Sequence, residues 1–161
     1  MTTDVLYRII FGLGSNLDNR ELNINLAIKK LQQNLELKNV KTSTFITSKA
    51  LLKENAPSDW DLDFINAAMS GDVDLQKFPA QKILQIAQAI EKEIGRNNAA
   101  EGLKMWAPRE IDIDILAIGN LKIDLGAKLQ IPHPEIQNRD FVKTPVAEIE
   151  PYWLQELQKK L

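Results

Sequence analysis

Apolar residues recur along the chain with two different periods, and the switches between them mark the elements. "LYRIIFGLG" (6–14) is rich in Ile, Phe and Tyr and ends in glycines, which predicts a first strand. In "SNLDNRELNINLAIKKLQQNL", Ile24, Ile28, Leu31 and Leu35 recur at helical spacing, so an amphipathic helix follows. "KTSTFITSKALL" (41–52), Thr-rich and β-branched, predicts a strand, "KENAPSDWDLD" (53–63) a polar loop, and "FINAAMSGDVDL" (64–75) a further strand. Pro79 opens a second helix, whose buried stripe is Ile83, Ala87, Ile90 and Ile94 and which Gly95 closes. "RNNAAEGLKM" (96–105) reads as an open loop. "WAPREIDIDIL" (106–116) reads as a strand, and its apolar run "ILAI" suggests a central one. "GN" (119–120), between "ILAI" and "LKIDL", is a two-residue hairpin signal. "IPHPEIQNRDFVKTPVAEIEP" predicts Pro-bounded turns and a short helix. Mixed strands and helices, with no repeat and no linker, give an α+β class and a single domain over 1–161.

Composition narrows the function classes. With 44% hydrophobic residues the chain can bury a core, and a formal net charge of -2 argues against a basic nucleic-acid binder, so any positive site is local. The absence of cysteine excludes disulfides and thiolate metal sites. The N-terminal stretch lacks a basic region ahead of a long apolar run, and no segment approaches the ~18 apolar residues of a membrane span. The expectation is a cytoplasmic protein with neither membrane nor nucleic acid as partner.

The predicted strand at 106–116 carries the chemistry. Strand side chains alternate, so Asp112 and Asp114 point one way and Ile111, Ile113 and Ile115 the other. A solvated sheet face accommodates such a pair. Two carboxylates roughly 6–7 Å apart nevertheless repel unless a cation lies between them. Hard oxygen ligands completed by substrate phosphates are the Mg²⁺ pattern, and such a pair can bracket two ions.

Other candidates group around that strand. Arg96, Arg109 and Arg139 lie in loops or at element edges, where a surface ion pair is the ordinary reading. Arg109, held by "WAPR" just ahead of the aspartates, is placed to meet phosphate. His133, the only histidine, sits in "PHP", whose prolines fix the backbone for either a turn or a positioned donor. Asn66 puts an amide inside apolar "FINAA", as a satisfied buried group or as a face for a heterocycle. Phe64, Trp106 and Phe141 are core residues by default but neighbour these polar candidates. Gln88 and Glu91 flank the stripe of the second helix on neighbouring turns. "GLGSNL" lacks the third glycine of a dinucleotide fingerprint and the Lys-Ser/Thr of a P-loop.

Taken together, "GLGSN", "FINAA", "WAPREIDIDIL" and "IPHPEIQNRDFVKTPVAEIEP" resemble the 6-hydroxymethyl-7,8-dihydropterin pyrophosphokinases of folate synthesis, in that family's order and across nearly the whole chain. The resemblance implies a three-layer α-β-α sandwich on a mainly antiparallel, ferredoxin-like sheet. It implies attack of the pterin hydroxymethyl oxygen on the β-phosphorus of ATP, with AMP leaving and two Mg²⁺ ions held by Asp112 and Asp114. Arg96 and Arg109 would then stabilise the transferring group, and His133 and Arg139 would contact the triphosphate. Gln88 and Glu91 would hold the nucleotide. Asn66 would hydrogen-bond the pterin, Phe64 and Phe141 would sandwich it, and Trp106 would seal the site. Ser48 and Leu51 match the family's pterin-side Thr-x-x-Leu loosely.

The chain departs from the family in "NNAAEGLKM", with one lysine (Lys104) where a basic loop is usual, and in "WAPR" for "WGPR". Some members of the family are fused to the next folate enzyme, dihydropteroate synthase, so "YWLQELQKKL" suits either a terminus or a cut before a second domain. A metal-dependent phosphohydrolase and a non-catalytic ligand-binding domain are the rival readings. The first would need a base, and no second histidine is present. The second would not need Asp112, Asp114 and Arg109 together.

Overall fold

The structure, a computed structural model, describes residues 5–95 and 108–159. Strand β1 (Leu6–Ser15) buries Ile9, Ile10, Phe11 and Leu13. Helix α1 (Arg20–Asn34) starts where the Asn19 side chain accepts a hydrogen bond from the Leu22 amide at 3.1 Å, satisfying one orphan donor of the first turn. Strands β2 (Lys38–Thr42) and β3 (Ile46–Ser48) precede a 3₁₀ turn at Ser58–Trp60 and strand β4 (Phe64–Asp74). Helix α2 (Ala80–Ile94) begins after Pro79 and ends at Gly95, whose φ of +136° few other residues tolerate. Strands β5 (Asp112–Ile118), β6 (Ile123–Asp124) and β7 (Gln130–Ile131) lead to helices α3 (Asp140–Ile149) and α4 (Pro151–Lys159).

The main sheet runs β2–β4–β1–β5, with β3 also on β4, and every pairing is antiparallel. Period-two alternation sorts its side chains to two faces. Ile9, Phe11, Leu13, Ile65, Ala67, Ile113 and Ile115 form one cluster with Ile24 and Leu31 of α1 and Ile83, Ala87 and Ile90 of α2. Each isoleucine fully buried there contributes about 1.5–3 kcal/mol. Ile10, Ala68, Leu116 and Ala117 form a second cluster with Val146 and Ile149 of α3 and Leu154 of α4. The α+β class therefore holds. No helix among the described residues is long and apolar enough to cross a membrane.

Four local expectations are corrected. The stretch 41–52 is not one strand: β2 ends at Thr42 and β3 covers only Ile46–Ser48. "GN" makes a turn, with the Leu121 amide bonded to the Ile118 carbonyl at 3.0 Å, but "LKIDL" does not fold back on β5. Its Ile123–Asp124 pairs with Gln130–Ile131 in a separate two-stranded sheet. The short helix expected within "IPHPEIQNRDFVKTPVAEIEP" is α3, but a further helix, α4, follows it over Pro151–Lys159, where none was expected. Finally, β5 is an edge strand, pairing only with β1 among the described strands. Its apolar run reflects cover from helices on both faces rather than strands on both sides.

Candidate active site

One end of the sheet face that carries the second cluster is left uncovered, and a cavity of about 510 Å³ lies there. Its floor follows from the register. Asp112 lies opposite Gly14, and Asp114 opposite Gly12, on the neighbouring strand. Gly14 in turn lies opposite Asn66, and Gly12 opposite Ala68. No side chain from β1 crowds either aspartate. A Cβ at Gly14 would come within 3.3 Å of Asn66 Oδ1 and 3.4 Å of a Phe64 ring carbon, so the glycine makes room for both. The "GLG" run is thus part of a strand and not a phosphate loop. Asn16, just beyond it, is a brace: its Oδ1 accepts from the Arg109 amide at 2.9 Å and its amide donates to the Leu62 carbonyl at 3.2 Å.

The edge position of β5 brings α2 into the site. Gln88 and Glu91 of α2 line the same cavity. Glu91 is buried, and its carboxylate accepts from the Ile113 amide, between the two aspartates, at 2.9 Å. Helical spacing placed Glu91 beside the buried stripe, and the structure shows it buried with that stripe. A little further along the edge, the Leu116 carbonyl accepts from the His133 amide at 2.9 Å, which pins "PHP" to the aspartate strand. His133 Nδ1 accepts from the Glu135 amide at 3.2 Å, so a neutral ring carries its proton on Nε2. Burial, then the Arg139 charge, push the His133 pKa below 6.5 against the opposing pull of Glu135 and Asp112.

Arg109 Nη1 lies 3.4 Å from Asp112 Oδ1, and Arg139 Nε 3.5 Å from Glu135 Oε2. The Arg139 guanidinium stands 5.9 Å from the centre of the Phe141 ring. At the opposite wall the Asn66 amide donates to Ser48 Oγ at 2.8 Å. Leu51, 47% exposed, lines the cavity with Phe64 and Phe141. Twelve of the residues singled out in the sequence therefore line one cavity: Ser48, Leu51, Phe64, Asn66, Gln88, Glu91, Arg109, Asp112, Asp114, His133, Arg139 and Phe141. Arg96, Trp106 and Lys104 lie outside the described residues. Sequence reasoning missed Gly12 and Gly14 as floor, although their two-residue spacing matches that of the aspartates. It also missed Lys49, Lys128 and Glu135, single charges outside helices and strands with no pattern to mark them.

The donor set can be tested against a metal. Among the described residues no group of three or more His, Asp or Glu could hold an ion. Two carboxylates on one strand face, opposite glycines, leave most coordination positions to other ligands. That fits Mg²⁺ completed by phosphate and water, and not a closed zinc site.

Residues 10–151 match the sequence profile described as 7,8-dihydro-6-hydroxymethylpterin-pyrophosphokinase (HPPK). The chain belongs to this family. It is 36% identical over 152 residues to the 2-amino-4-hydroxy-6-hydroxymethyldihydropteridine pyrophosphokinase of Aquifex aeolicus, covering 94% of this chain and 86% of that one. It is 36% identical over 138 residues to the enzyme of the same name from Haemophilus influenzae, covering 86% and 78%. It is also 33% identical over 145 residues to a protein of Chlamydia trachomatis named folate synthesis bifunctional protein, covering 89% of this chain but only 30% of the chlamydial one. The HPPK match takes in every residue that lines the cavity.

Proposed function

We propose that this protein transfers the diphosphoryl group of ATP to the hydroxymethyl oxygen of 6-hydroxymethyl-7,8-dihydropterin and releases AMP, a step of folate biosynthesis. One observation carries the reading beyond family membership: a single cavity has a carboxylate-arginine end and an amide-aromatic end on the same sheet face. The first suits a triphosphate, the second a flat heterocycle with hydrogen-bonding edges.

In the reaction a bond forms between the pterin oxygen and the β-phosphorus. The bond from that phosphorus to the α,β-bridging oxygen breaks, AMP leaves with that oxygen, and one proton is released. Asp112 and Asp114 would hold two Mg²⁺ ions, which when bound neutralise the triphosphate and orient the β-phosphorus for in-line attack. Arg109 sits beside Asp112 and would turn to the transferring group once phosphate arrives. His133 would donate from Nε2, and Arg139 would add charge without a proton to lose. Gln88 would contact the nucleotide from α2. Asn66 would present its amide to the pterin edge from a position fixed by Ser48, with Phe64 and Phe141 on the ring faces and Leu51 at the rim. Arg96 and Trp106 keep the roles that the family resemblance gives them. Glu91, engaged by Ile113, fits a bracing role better than direct nucleotide contact.

The order β2–β4–β1–β5, antiparallel throughout and flanked by the two helix-containing clusters, supports a ferredoxin-like, three-layer sandwich. It also supports treating residues 1–161 as one catalytic domain. The name of the chlamydial relative, folate synthesis bifunctional protein, supports fusion or handover to a second activity of folate synthesis, for which the family resemblance suggests dihydropteroate synthase. The test is AMP release from ATP and Mg²⁺ on addition of the pterin. Pterin-dependent AMP is expected; pterin-independent release of inorganic phosphate would favour the hydrolase reading.

A further inference from the structure

The step between β2 and β3 has a geometry that no role assigned so far explains. Thr42 lies opposite Met69 and Ile46 opposite Asn66, so residues 43, 44 and 45 span the stretch that 67 and 68 span on β4. One extra residue is present, which is a β-bulge. Ser43 closes its near side: its amide donates to the Ala68 carbonyl at 2.9 Å, and its hydroxyl accepts from the Ala68 amide at 2.8 Å in place of a backbone carbonyl. Thr44 is turned out of the ladder. Its amide donates to both carboxylate oxygens of Glu148, at 3.1 and 3.0 Å, and its hydroxyl to Oε2 at 2.9 Å. Glu148 lies on α3, seven residues beyond Phe141.

The extra residue has a consequence at the cavity. A shift of one residue in a strand moves every side chain to the other face. With the bulge, Ser48 lies opposite Phe64 and Ile46 opposite Asn66, on the cavity face, and Thr47 lies opposite Ile65, whose side chain belongs to the other cluster. Carrying the β2 register through without the bulge would bring residue 47 opposite Phe64 and turn Ser48 away from Asn66. The Ser48–Asn66 hydrogen bond thus depends on the bulge, and the amide that the bulge strands is held by Glu148. We propose that Glu148 is a positioning residue for pterin recognition: by clamping Thr44 it fixes the register of β3, and through Ser48 the aim of the Asn66 amide. The role rests on the proposed function. It also ties the strand wall of the cavity to α3, the helix that carries Phe141.

Charge and geometry set the expected behaviour of variants. A carboxylate accepts charge-assisted hydrogen bonds from a backbone amide and a hydroxyl at once, an amide oxygen accepts them more weakly, and a methyl group not at all. Glu148 is exposed and touches no ligand-facing atom, so the fold should survive its loss.

The experiment compares Glu148→Ala, Glu148→Gln and the parent protein by titration calorimetry with 6-hydroxymethylpterin in the presence of Mg²⁺ and α,β-methylene-ATP, and with that nucleotide alone. Amide exchange over residues 43–48 is followed in parallel. For Glu148→Ala, pterin affinity should fall about tenfold while nucleotide affinity stays within about twofold, and Glu148→Gln should recover most of the loss. Faster exchange at Thr44 and Ser48 should accompany the alanine variant. Equal weakening of both ligands, or unchanged pterin affinity with faster exchange, overturns the positioning role. If the parent protein binds nucleotide but no pterin, the proposed function fails and the pterin role of Glu148 falls with it. Unchanged exchange at Thr44 refutes the clamp whatever the ligand data show.

Discussion

Asp112 and Asp114 were legible as a pair because a period-two pattern places like charges on one strand face, and their cross-strand neighbours prove to be Gly14 and Gly12. Asp112→Asn and Asp114→Asn keep the shape and remove the charge that would offset bound cations. Each should lower turnover by roughly 10²–10³-fold or more with the circular dichroism spectrum unchanged. Near-parental turnover in either variant would remove the metal-holding role. His133 was legible only as a lone residue between prolines, and what fixes its state comes from the fold: burial and Arg139 lower its pKa, and the Glu135 amide occupies Nδ1. The sign of its effect on stability follows from linkage. Between the lowered value and 6.5 the unfolded chain binds more proton than the folded one, so stability rises with pH across that window, and above it this group adds no slope. Urea midpoints of the ligand-free protein should therefore drop as pH falls below 6.5. His133→Gln should flatten this part of the profile; an unchanged slope would show that other groups cause it.

Strand β1 shows how an element shapes the site without a reactive atom. Its glycines sit where the floor needs no side chain, and a Cβ at Gly14 would press on both Asn66 and Phe64. Gly14→Ala should weaken pterin binding about tenfold and leave nucleotide affinity within a few-fold, since a contact tighter than ordinary packing must displace the amide or the ring. Equal affinities for the parent and the variant would mean that neither group is fixed in the complex. Strands and helices with a clean period were legible: β1, α1, β4 and α2 lie where apolar spacing puts them. Elements defined by long-range pairing were not. The bulge at Ser43–Phe45 has no local mark, because Thr-rich sequence suits a continuous strand equally well. The edge position of β5 was hidden because helices cover both faces of its apolar run. "LKIDL" left its hairpin because Ile123 and Asp124 pair with Ile131 and Gln130 instead, a choice between partners that a two-residue turn signal cannot rank.

At the scale of the molecule, Arg8 gathers elements distant in the chain. It donates to Glu150 Oε1 at 2.8 Å, to the Asn39 carbonyl at 2.7 Å, to Asp72 Oδ1 at 3.1 Å and to Ser70 Oγ at 3.0 Å. It thereby joins β1, β4, the residues of β2 and the junction of α3 with α4. In the sequence Arg8 is a single charge within the apolar run "LYRIIFGLG", with nothing beside it to mark its partners. Arg8 and its acid partners are mostly but not fully buried, so Arg8→Met should cost about 1–2 kcal/mol after allowance for solvent screening. That corresponds to roughly 3–6 °C in Tm for a domain of this size, with turnover at 25 °C unchanged. A Tm within about a degree of the parent would mean that the network adds no net stability. The central claim is that one cavity joins a triphosphate to a pterin so that two phosphoryl groups move as a unit. ATP labelled at the β-phosphorus tests it most directly, in a single turnover with Mg²⁺ and 6-hydroxymethyl-7,8-dihydropterin. All label transferred should appear on the pterin with unlabelled AMP as co-product. Label remaining in ADP, or released as inorganic phosphate or pyrophosphate in place of a pterin product, would contradict the account.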